Sequence, residues 1–347
     1  MQRQHLDYID ALKGFGMFLV VMGHVIAWSF GVYGNCQANI TCSVSLLWRN
    51  IIYTFHMPLL MFVSGYLFIS SSRPFGVSML KGYLWRKAYT LLIPFLFAGW
   101  VFSVITGQSM LKYWFLRTLF LFILISLPIE LLRNRMKSEH VRVVADFIWY
   151  GSWSFALFFV LPRWSLPGDV IFDFGHITLY YSFALGVLCK RYGVLQRLLD
   201  SNWVFTICLI IFIVDTYVNN LTDVRGWHLY GLGYLYSISG IVCSYYLFKH
   251  TFDGMGGAIL KGLRYVGKHS LEVYILHFYF VLSFPAIGRM INQYMLGDSF
   301  SKAAGSTVEI VSSVILATVV CTLSLTVARV VRTSNFLSQY FLGRKNK

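Results

Sequence analysis

Apolar runs of about twenty residues recur along almost the whole chain, and this pattern constrains the fold more than any other feature. Roughly 20 helical residues cross a hydrocarbon core about 30 Å thick. Only helices and closed barrels satisfy their backbone hydrogen bonds within lipid. Charged residues make up 12% of the sequence, against about 25% in soluble domains. The sequence therefore predicts an all-α, polytopic integral membrane bundle of about ten transmembrane helices.

No long polar segment separates the runs, so we predict one membrane domain over residues 1–347 without a soluble appendage. The first run contains Lys13 and His24, and no small-residue cleavage site follows it. We therefore expect an uncleaved first helix rather than a signal peptide. The predicted spans are 12–32, 50–70, 89–106, 113–132, 143–161, 170–189, 203–219, 228–248, 267–288 and 307–328.

The formal net charge of +15 is distributed unequally between the two sides of these spans. The N-terminus, every second loop and the C-terminal tail hold 22 of the 29 Lys and Arg residues, and the other loops hold six. Cationic loops remain in the cytoplasm, which places both termini there and requires an even number of spans. Topology and contact with anionic membrane lipids account for this charge, so no nucleic acid partner is expected.

The six cysteines give no sign of a metal centre. Cys36 and Cys42 lie in the first outer loop, where a disulfide and two free thiols both fit the spacing. The other four lie in or beside spans, as packing residues do. No cysteine–histidine spacing is typical of a zinc site, and we predict neither a bound metal nor a bound cofactor.

Four cationic or imidazole side chains lie at membrane depth, where such residues are costly and usually line a cavity or a reaction path. They are His24, His56, Arg117 and His277. Lys13 and His24 are eleven residues apart, so they share one face of the first helix. They are separated by roughly 16 Å along its axis, with Lys13 at the cytoplasmic mouth. Beside them, Gly16 and Gly23 leave room for a neighbouring helix or a ligand.

His24, His56 and Arg117 lie at comparable depths in the outer half of the bilayer, which suggests one polar pocket. Pro58 is expected to kink the second span beside His56. Simpler interpretations remain open: each histidine can act as hydrogen-bonding glue between helices, and Arg117 can extend to the outer interface. Lys13 can be a topological anchor only.

Five motifs in order resemble those of the membrane-bound acyltransferase-3 family, especially its fucose 4-O-acetylase-like and polysaccharide O-acetyltransferase branch. The stretch DALKGFGMFLVVMGH at 10–24 is similar to the opening motif, and FHMPLLMFVSGYL at 55–67 to the second. KAYTLLIP at 87–94 and YWFL at 113–116 resemble the third and fourth. GKHSLEVYILH at 267–277 resembles the late motif. Lys13 stands where many members have Arg, and Arg86 with Lys87 replaces an Arg-x-x-Arg pair.

The resemblance implies transfer of an acyl group, commonly acetyl from cytoplasmic acetyl-CoA as co-substrate, to a hydroxyl of a sugar or polysaccharide precursor in the bacterial inner membrane. His24 is the expected base, with a covalent acyl-histidine as a variant. We expect His56 or Arg117 to orient the acceptor or stabilise the oxyanion. Lys13, Arg86 and Lys87 are assigned to the coenzyme A phosphates. Trp114, Tyr66 and His277 are assigned to the acceptor.

Two other function classes fit the same spans. A polysaccharide or glycolipid transporter would also need a buried polar pocket, although it favours discontinuous helices in two matched halves. Pro58, Pro94 and Pro285 interrupt spans, but no matched halves are evident. A lipid-binding or partner-binding protein without chemistry would leave the polar pocket unexplained.

Overall fold

The computed structural model describes residues 7–30, 47–68, 75–160, 174–221, 232–252, 256–295 and 297–344. Helices make up most of these ranges, and no strand occurs within them. The predicted class, an all-helical membrane bundle, is confirmed. Cys36 and Cys42 lie outside the described residues. Cys189, Cys243 and Cys321 are buried free thiols.

The helices follow the apolar runs closely. In chain order they are α1 Asp7–His24, α2 Leu47–Tyr66, α3 Val77–Lys87, α4 Ile93–Thr106, α5 Trp114–Arg133, α6 Glu139–Phe155, α7 Phe174–Ile177, α8 Tyr180–Arg191, α9 Gly193–Leu199, α10 Asn202–Leu221, α11 Leu232–Tyr246, α12 Ala258–Lys268, α13 Ser270–Leu276, α14 Pro285–Met295, α15 Ser299–Val331 and α16 Asn335–Tyr340. π-helical turns follow α1, α3, α6 and α11, and 3₁₀ turns precede α5 and follow α13.

Four continuous helical segments of the described chain are long and apolar enough to cross a membrane: Asp7–Ser29, Val77–Thr106, Met110–Arg133 and Ser299–Val331. A fifth candidate is the pair Gly193–Leu199 and Asn202–Tyr217, which is bent by 58°. Helical residues occur in each of the ten predicted stretches. The count of ten spans and the cytoplasmic termini stay predictions.

The ninth predicted span, 267–288, is not one continuous helix. Helix α13 ends at Leu276 and tightens into the 3₁₀ turn His277–Tyr279, and α14 begins at Pro285. Proline lacks an N–H and suits the first turn of a new helix. The preceding amide, Phe284 N, donates to Ser29 O at 2.6 Å. A backbone donor that would continue the helix is therefore satisfied by the end of the first span.

Contacts divide the chain into two compact units. The first unit comprises residues 1–60 and 198–329, and the second comprises 61–197 and 330–347. Within the first unit, α1 packs on α2: a Cβ at Gly16 would lie 3.0 Å from Leu60, and one at Gly23 would lie 2.9 Å from Tyr53. Of the two occupants expected beside these glycines, the structure shows the neighbouring helix.

The second unit is held by a close crossing of α2 and α8 and by a buried charged cluster. A Cβ at Gly65 would lie 2.0 Å from Phe183 O, and one at Gly186 would lie 2.1 Å from Phe62 O. Only glycine permits backbones to approach this closely. The charged cluster comprises Glu130, Arg133, Asp146, Tyr150, Arg191 and Tyr192.

Candidate functional site

The first unit places the first and the last of the five motifs side by side. A Cβ at Gly14 would lie 1.9 Å from Leu263 O, and one at Gly267 would lie 1.9 Å from Asp10 O. Helices α1 and α12 therefore touch backbone to backbone. The same offset of 253 residues that relates Gly14 to Gly267 also relates His24 to His277. The late segment thus runs parallel to α1, and the first and last motifs lie against each other.

His24 and His277 meet directly. The distance from His24 Nδ1 to His277 Nε2 is 2.8 Å, and the ring planes are within 12° of parallel. His277 is completely buried, whereas His24 is half-buried. The sequence assigned these residues to different tasks, one to catalysis and one to the acceptor. The structure makes them partners in one hydrogen bond.

Backbone carbonyls determine the tautomer of this pair. His277 Nδ1 lies 2.7 Å from Tyr274 O and 3.1 Å from Val273 O. A carbonyl only accepts, so His277 Nδ1 carries a hydrogen. In neutral His277, Nε2 is then the acceptor and His24 Nδ1 is the donor. His24 Nε2 is consequently the unprotonated, basic nitrogen.

Aromatic rings surround His24. The Trp28 ring centroid lies 4.6 Å away in an edge arrangement, and the Phe278 centroid lies 4.8 Å away in a stacked one. His24 is also the last residue of α1 before the π-helical turn Val25–Ser29. Such turns are rare and are frequent at functional sites. The histidine pair therefore lies in an apolar setting that strengthens electrostatic interactions.

The charged residues of α1 lie near the other end of this helix. Lys13 is half-buried and directly precedes Gly14, the residue in backbone contact with α12. Arg264 of α12 lies 3.9 Å from the Asp7 carboxylate. In the late segment, Glu272 is completely buried. The site thus has a charged end at Lys13 and an imidazole end at His24, about 16 Å apart along one helix.

His56 lies on α2 in the same unit and is 3% exposed. Its Nδ1 lies 2.7 Å from Ile52 O and therefore donates, which makes Nε2 the basic nitrogen here too. Its ring centroid lies 4.9 Å from that of Tyr53, the residue against which Gly23 of α1 packs. Tyr53 thus contacts both the His56 ring and Gly23, the residue that precedes His24.

Arg117, Trp114 and Tyr66 belong to the second unit. The Arg117 guanidinium lies over the Phe95 ring, 5.8 Å from its centroid. Trp114 stacks on His176 with centroids 3.6 Å apart. Tyr66 is 2% exposed, and Lys190 Nζ lies 4.9 Å from its ring centroid. A common pocket of Arg117 with His24 and His56 stays a prediction.

Arg86 and Lys87 end helix α3, also in the second unit. Their cationic groups lie 5.8 Å and 5.5 Å from the centroid of the Tyr83 ring. Arg86 is exposed and Lys87 is half-buried. Lys87 directly precedes the π-helical turn Ala88–Leu92, as His24 precedes the turn after α1. His24 and Lys87, two of the predicted site residues, therefore each directly precede a π-helical turn.

Sequence reasoning missed several polar residues at membrane depth. His176 lies within the predicted sixth span, and its position there is the signal that could have revealed it. The other missed residues are buried acids, which were overlooked because only cationic and imidazole residues were sought. They are Glu130, Asp146, Asp215, Glu272 and Glu309.

Comparison with protein families assigns the chain to a family. The acyltransferase-3 family model, described as an acyltransferase domain, matches residues 6–327. The chain belongs to the membrane acyltransferase-3 family. The matched region includes all nine predicted site residues and both halves of the histidine pair. No curated protein and no solved structure matches the chain.

Membership in the acyltransferase-3 family gives the paired histidines a chemical context. Acyltransferases need a base that removes a proton from the attacking group, and neutral histidine performs this task near pH 7. No cluster of three or more His, Cys, Asp or Glu side chains suited to a metal occurs within the described ranges. The protein is a membrane acyltransferase in which half-buried His24, at the end of the first helix, pairs with buried His277.

Proposed function

We propose that this acyltransferase moves an acyl group, acetyl in the first instance, from cytoplasmic acyl-CoA to a hydroxyl of a cell-surface sugar or glycolipid-linked polysaccharide precursor. The observation that supports this most strongly is the His24–His277 hydrogen bond, which leaves His24 Nε2 as the basic nitrogen. Such an activity corresponds to the fucose 4-O-acetylase-like and polysaccharide O-acetyltransferase branch. Its natural location is the inner membrane of a bacterium.

His24 performs the proton transfer in this proposal. Its Nε2 removes the proton of the acceptor hydroxyl as the oxygen attacks the thioester carbonyl carbon. A carbon–oxygen bond forms, the carbon–sulfur bond breaks, and the imidazolium returns its proton to the departing thiolate. The products are an O-acyl ester and free coenzyme A. General base catalysis of this kind contributes about 10²–10⁴-fold to rate.

Lys13 supports a donor that enters from the cytoplasm. It lies eleven residues before His24 on α1, about 16 Å away along the helix axis. A flexible arm of that length can carry a thioester from a phosphate-binding cation to the imidazole. We assign Lys13, Arg86 and Lys87 to the phosphates of the donor. Lys13 binds them as a point charge rather than with the fork of an arginine.

The remaining predicted residues act on the acceptor or on the oxyanion. Trp114 is proposed to contact a sugar beside its stack on His176. Tyr66 is proposed to contact the acceptor through the small part of its side chain that is exposed. His56 and Arg117 are proposed to orient the acceptor or to stabilise the negative charge that develops on the carbonyl oxygen. His56 lies on α2 and Arg117 lies on α5, and both of these helices are continuous.

Labelled acetyl-CoA and oriented membrane vesicles test the proposal. Acetyl-CoA does not cross membranes, so its label should enter the glycolipid fraction in inside-out vesicles and not in right-side-out vesicles. His24→Ala should lower the rate of acyl transfer at least about 10²-fold. His140→Gln, a change at an exposed histidine of α6, serves as the control. Equal amounts of folded protein are verified for each variant.

Two outcomes would contradict the proposal. Full transfer by folded His24→Ala would remove His24 from the reaction. No transfer from acetyl-CoA by the wild type, combined with altered passage of glycolipid across the vesicle membrane, would favour a transporter instead.

A further inference from the structure

We propose that His277 is a positioning residue of the reaction, which fixes the tautomer of His24 and accepts the hydrogen bond of the imidazolium that His24 becomes. The inference rests on the proposed function, because it assigns His277 to the same proton transfer. It differs from the sequence-based assignment of His277 to the acceptor.

The first support is the anchoring of the His277 ring. Its Nδ1 donates to Tyr274 O at 2.7 Å and lies 3.1 Å from Val273 O, both in the last turn of α13. The side chain is completely buried. One ring nitrogen is therefore committed to the backbone, and the other is presented to His24 at 2.8 Å. The ring orientation is set by the fold before any substrate binds.

The second support is the way the two segments are locked together on both sides of the pair. Ten residues before each histidine, Gly14 and Gly267 bring the backbones of α1 and α12 into contact. Beyond the pair, Phe284 N donates to Ser29 O at 2.6 Å. A Cβ at Gly288 would then lie 2.0 Å from Phe30 O. The separation of the histidines is thus fixed by main-chain contacts rather than by side chains alone.

The third support is chemical. When His24 Nε2 takes the acceptor proton, the imidazolium gains a positive charge in an apolar setting, where an uncompensated charge is costly. His24 Nδ1–H already points to His277 Nε2, an acceptor that needs no rearrangement. Preorganised acceptors of this kind stabilise charge that develops in the transition state. Orientation of a catalytic histidine by a second group through its other nitrogen follows the logic of hydrolase triads.

Two substitutions at His277 separate positioning from packing. In His277→Gln, the amide oxygen reaches about where Nε2 lies and can accept from His24 Nδ1–H. In His277→Leu, a similar volume is retained without an acceptor. We expect His277→Leu to lower kcat about 10²-fold with KM for donor and acceptor unchanged. His277→Gln should keep kcat within about tenfold of the wild type. His140→Gln is the histidine control, and thermal melting in detergent verifies that all variants are folded.

A second measurement does not depend on the substrate. ¹⁵N spectra of histidine-labelled protein distinguish protonated from unprotonated ring nitrogens, and His24→Asn identifies the His24 signals. The proposal requires a protonated Nδ1 and an unprotonated Nε2 on His24, with loss of this single tautomer in His277→Leu. The opposite tautomer in the wild type would overturn it.

The kinetic outcomes also separate this inference from the proposed function. Full kcat in folded His277→Leu, together with an inactive His24→Ala, overturns the positioning role and leaves the acyltransferase reaction intact. Equal losses in His277→Gln and His277→Leu that appear in KM would make His277 a packing or substrate-contact residue. Absence of acyl transfer by the wild type overturns the proposed function first.

Discussion

The Asp146 carboxylate is the centre of the buried charged cluster in the second unit. It is completely buried, it pairs with Arg133, and Arg191 Nη1 lies 2.7 Å from Oδ2. The Tyr192 hydroxyl donates to the same oxygen at 2.6 Å. Burial and then this bond to Asp146 raise the pKa of Tyr192 to about 12. Tyr192 is therefore a neutral donor at physiological pH.

Asp146→Asn tests whether this cluster stabilises the second unit. The substitution leaves two arginines beside a neutral amide, and breaking a buried ion pair by removing one partner costs about 3–5 kcal/mol. We expect a clearly lower melting temperature in detergent. Glu139→Gln, at the exposed first residue of the same helix α6, should change stability by less than about 1 kcal/mol. Equal melting temperatures for the two variants would show that the cluster is not structural.

At the scale of single residues, the sequence indicated candidate site residues but not which of them touch. His24 and Lys13 could be identified because their spacing of eleven residues on one helix is a local pattern. The bond between His24 and His277 could not, since it joins residues 253 positions apart. Nothing in helical periodicity reports on contacts at that separation. Membership of the family united the motifs, but only the three-dimensional structure shows which side chains touch.

Helix packing in the first unit depends on glycines at defined positions. On α12, Gly267 faces α1, and a Cβ there would lie 1.9 Å from Asp10 O. Gly262 on the same helix has no atom within 4 Å of its added Cβ. These two glycines form a matched pair, because the same substitution meets backbone at one and open space at the other.

Gly267→Ala should therefore separate α1 from α12 and displace His277 from His24. We expect both a lower melting temperature and a loss of acyl transfer. Gly262→Ala should be neutral or stabilising by up to about 1 kcal/mol, since alanine is the better helix former. Melting temperature and acyl-transfer activity of the two variants are compared in detergent to test whether the glycine contact holds α1 against α12. If Gly267→Ala had the melting temperature and the acyl-transfer activity of the wild type, the backbone contact between α1 and α12 would be contradicted.

Element boundaries show where sequence-based prediction of this fold works and where it fails. Long apolar runs locate helices well, as for α5 and α15. Pro285 signalled an interruption of the ninth predicted span, but the apolar residues before it gave no sign that the helix ends at Tyr279. The hydrogen bond of Phe284 N to Ser29 O shows how a backbone donor within the break is satisfied. The π-helical turns, such as Val25–Ser29, show no sequence pattern that distinguishes them from α-helix.

On the scale of the whole molecule, the distribution of Lys and Arg predicts a topology that can be tested. It predicts cytoplasmic termini and an outer first loop. A reporter phosphatase that is active only outside the cytoplasm should be inactive when fused after Lys347 and active when inserted near Asn39. A fluorescent protein that matures only in the cytoplasm should give the reverse result. An active phosphatase at the C-terminus would contradict the predicted cytoplasmic C-terminus.

The whole chain is also the scale at which the first and the last motif come into contact. The first motif supplies Lys13 and His24, and the last supplies His277 across the contact between α1 and the late segment. Both motifs lie within residues 6–327, which the family model matches. The proposed reaction therefore requires the intact membrane bundle.

Mass spectrometry of surface glycans tests the central claim most directly. Cells that produce the wild-type chain, His24→Ala or no chain are compared, with equal amounts of folded protein in the first two. We predict an acetyl-sized mass on the glycan only with the wild type, removed by mild base as an ester should be. Unmodified glycans in all three samples, or an ester that persists with His24→Ala, would contradict O-acylation through His24.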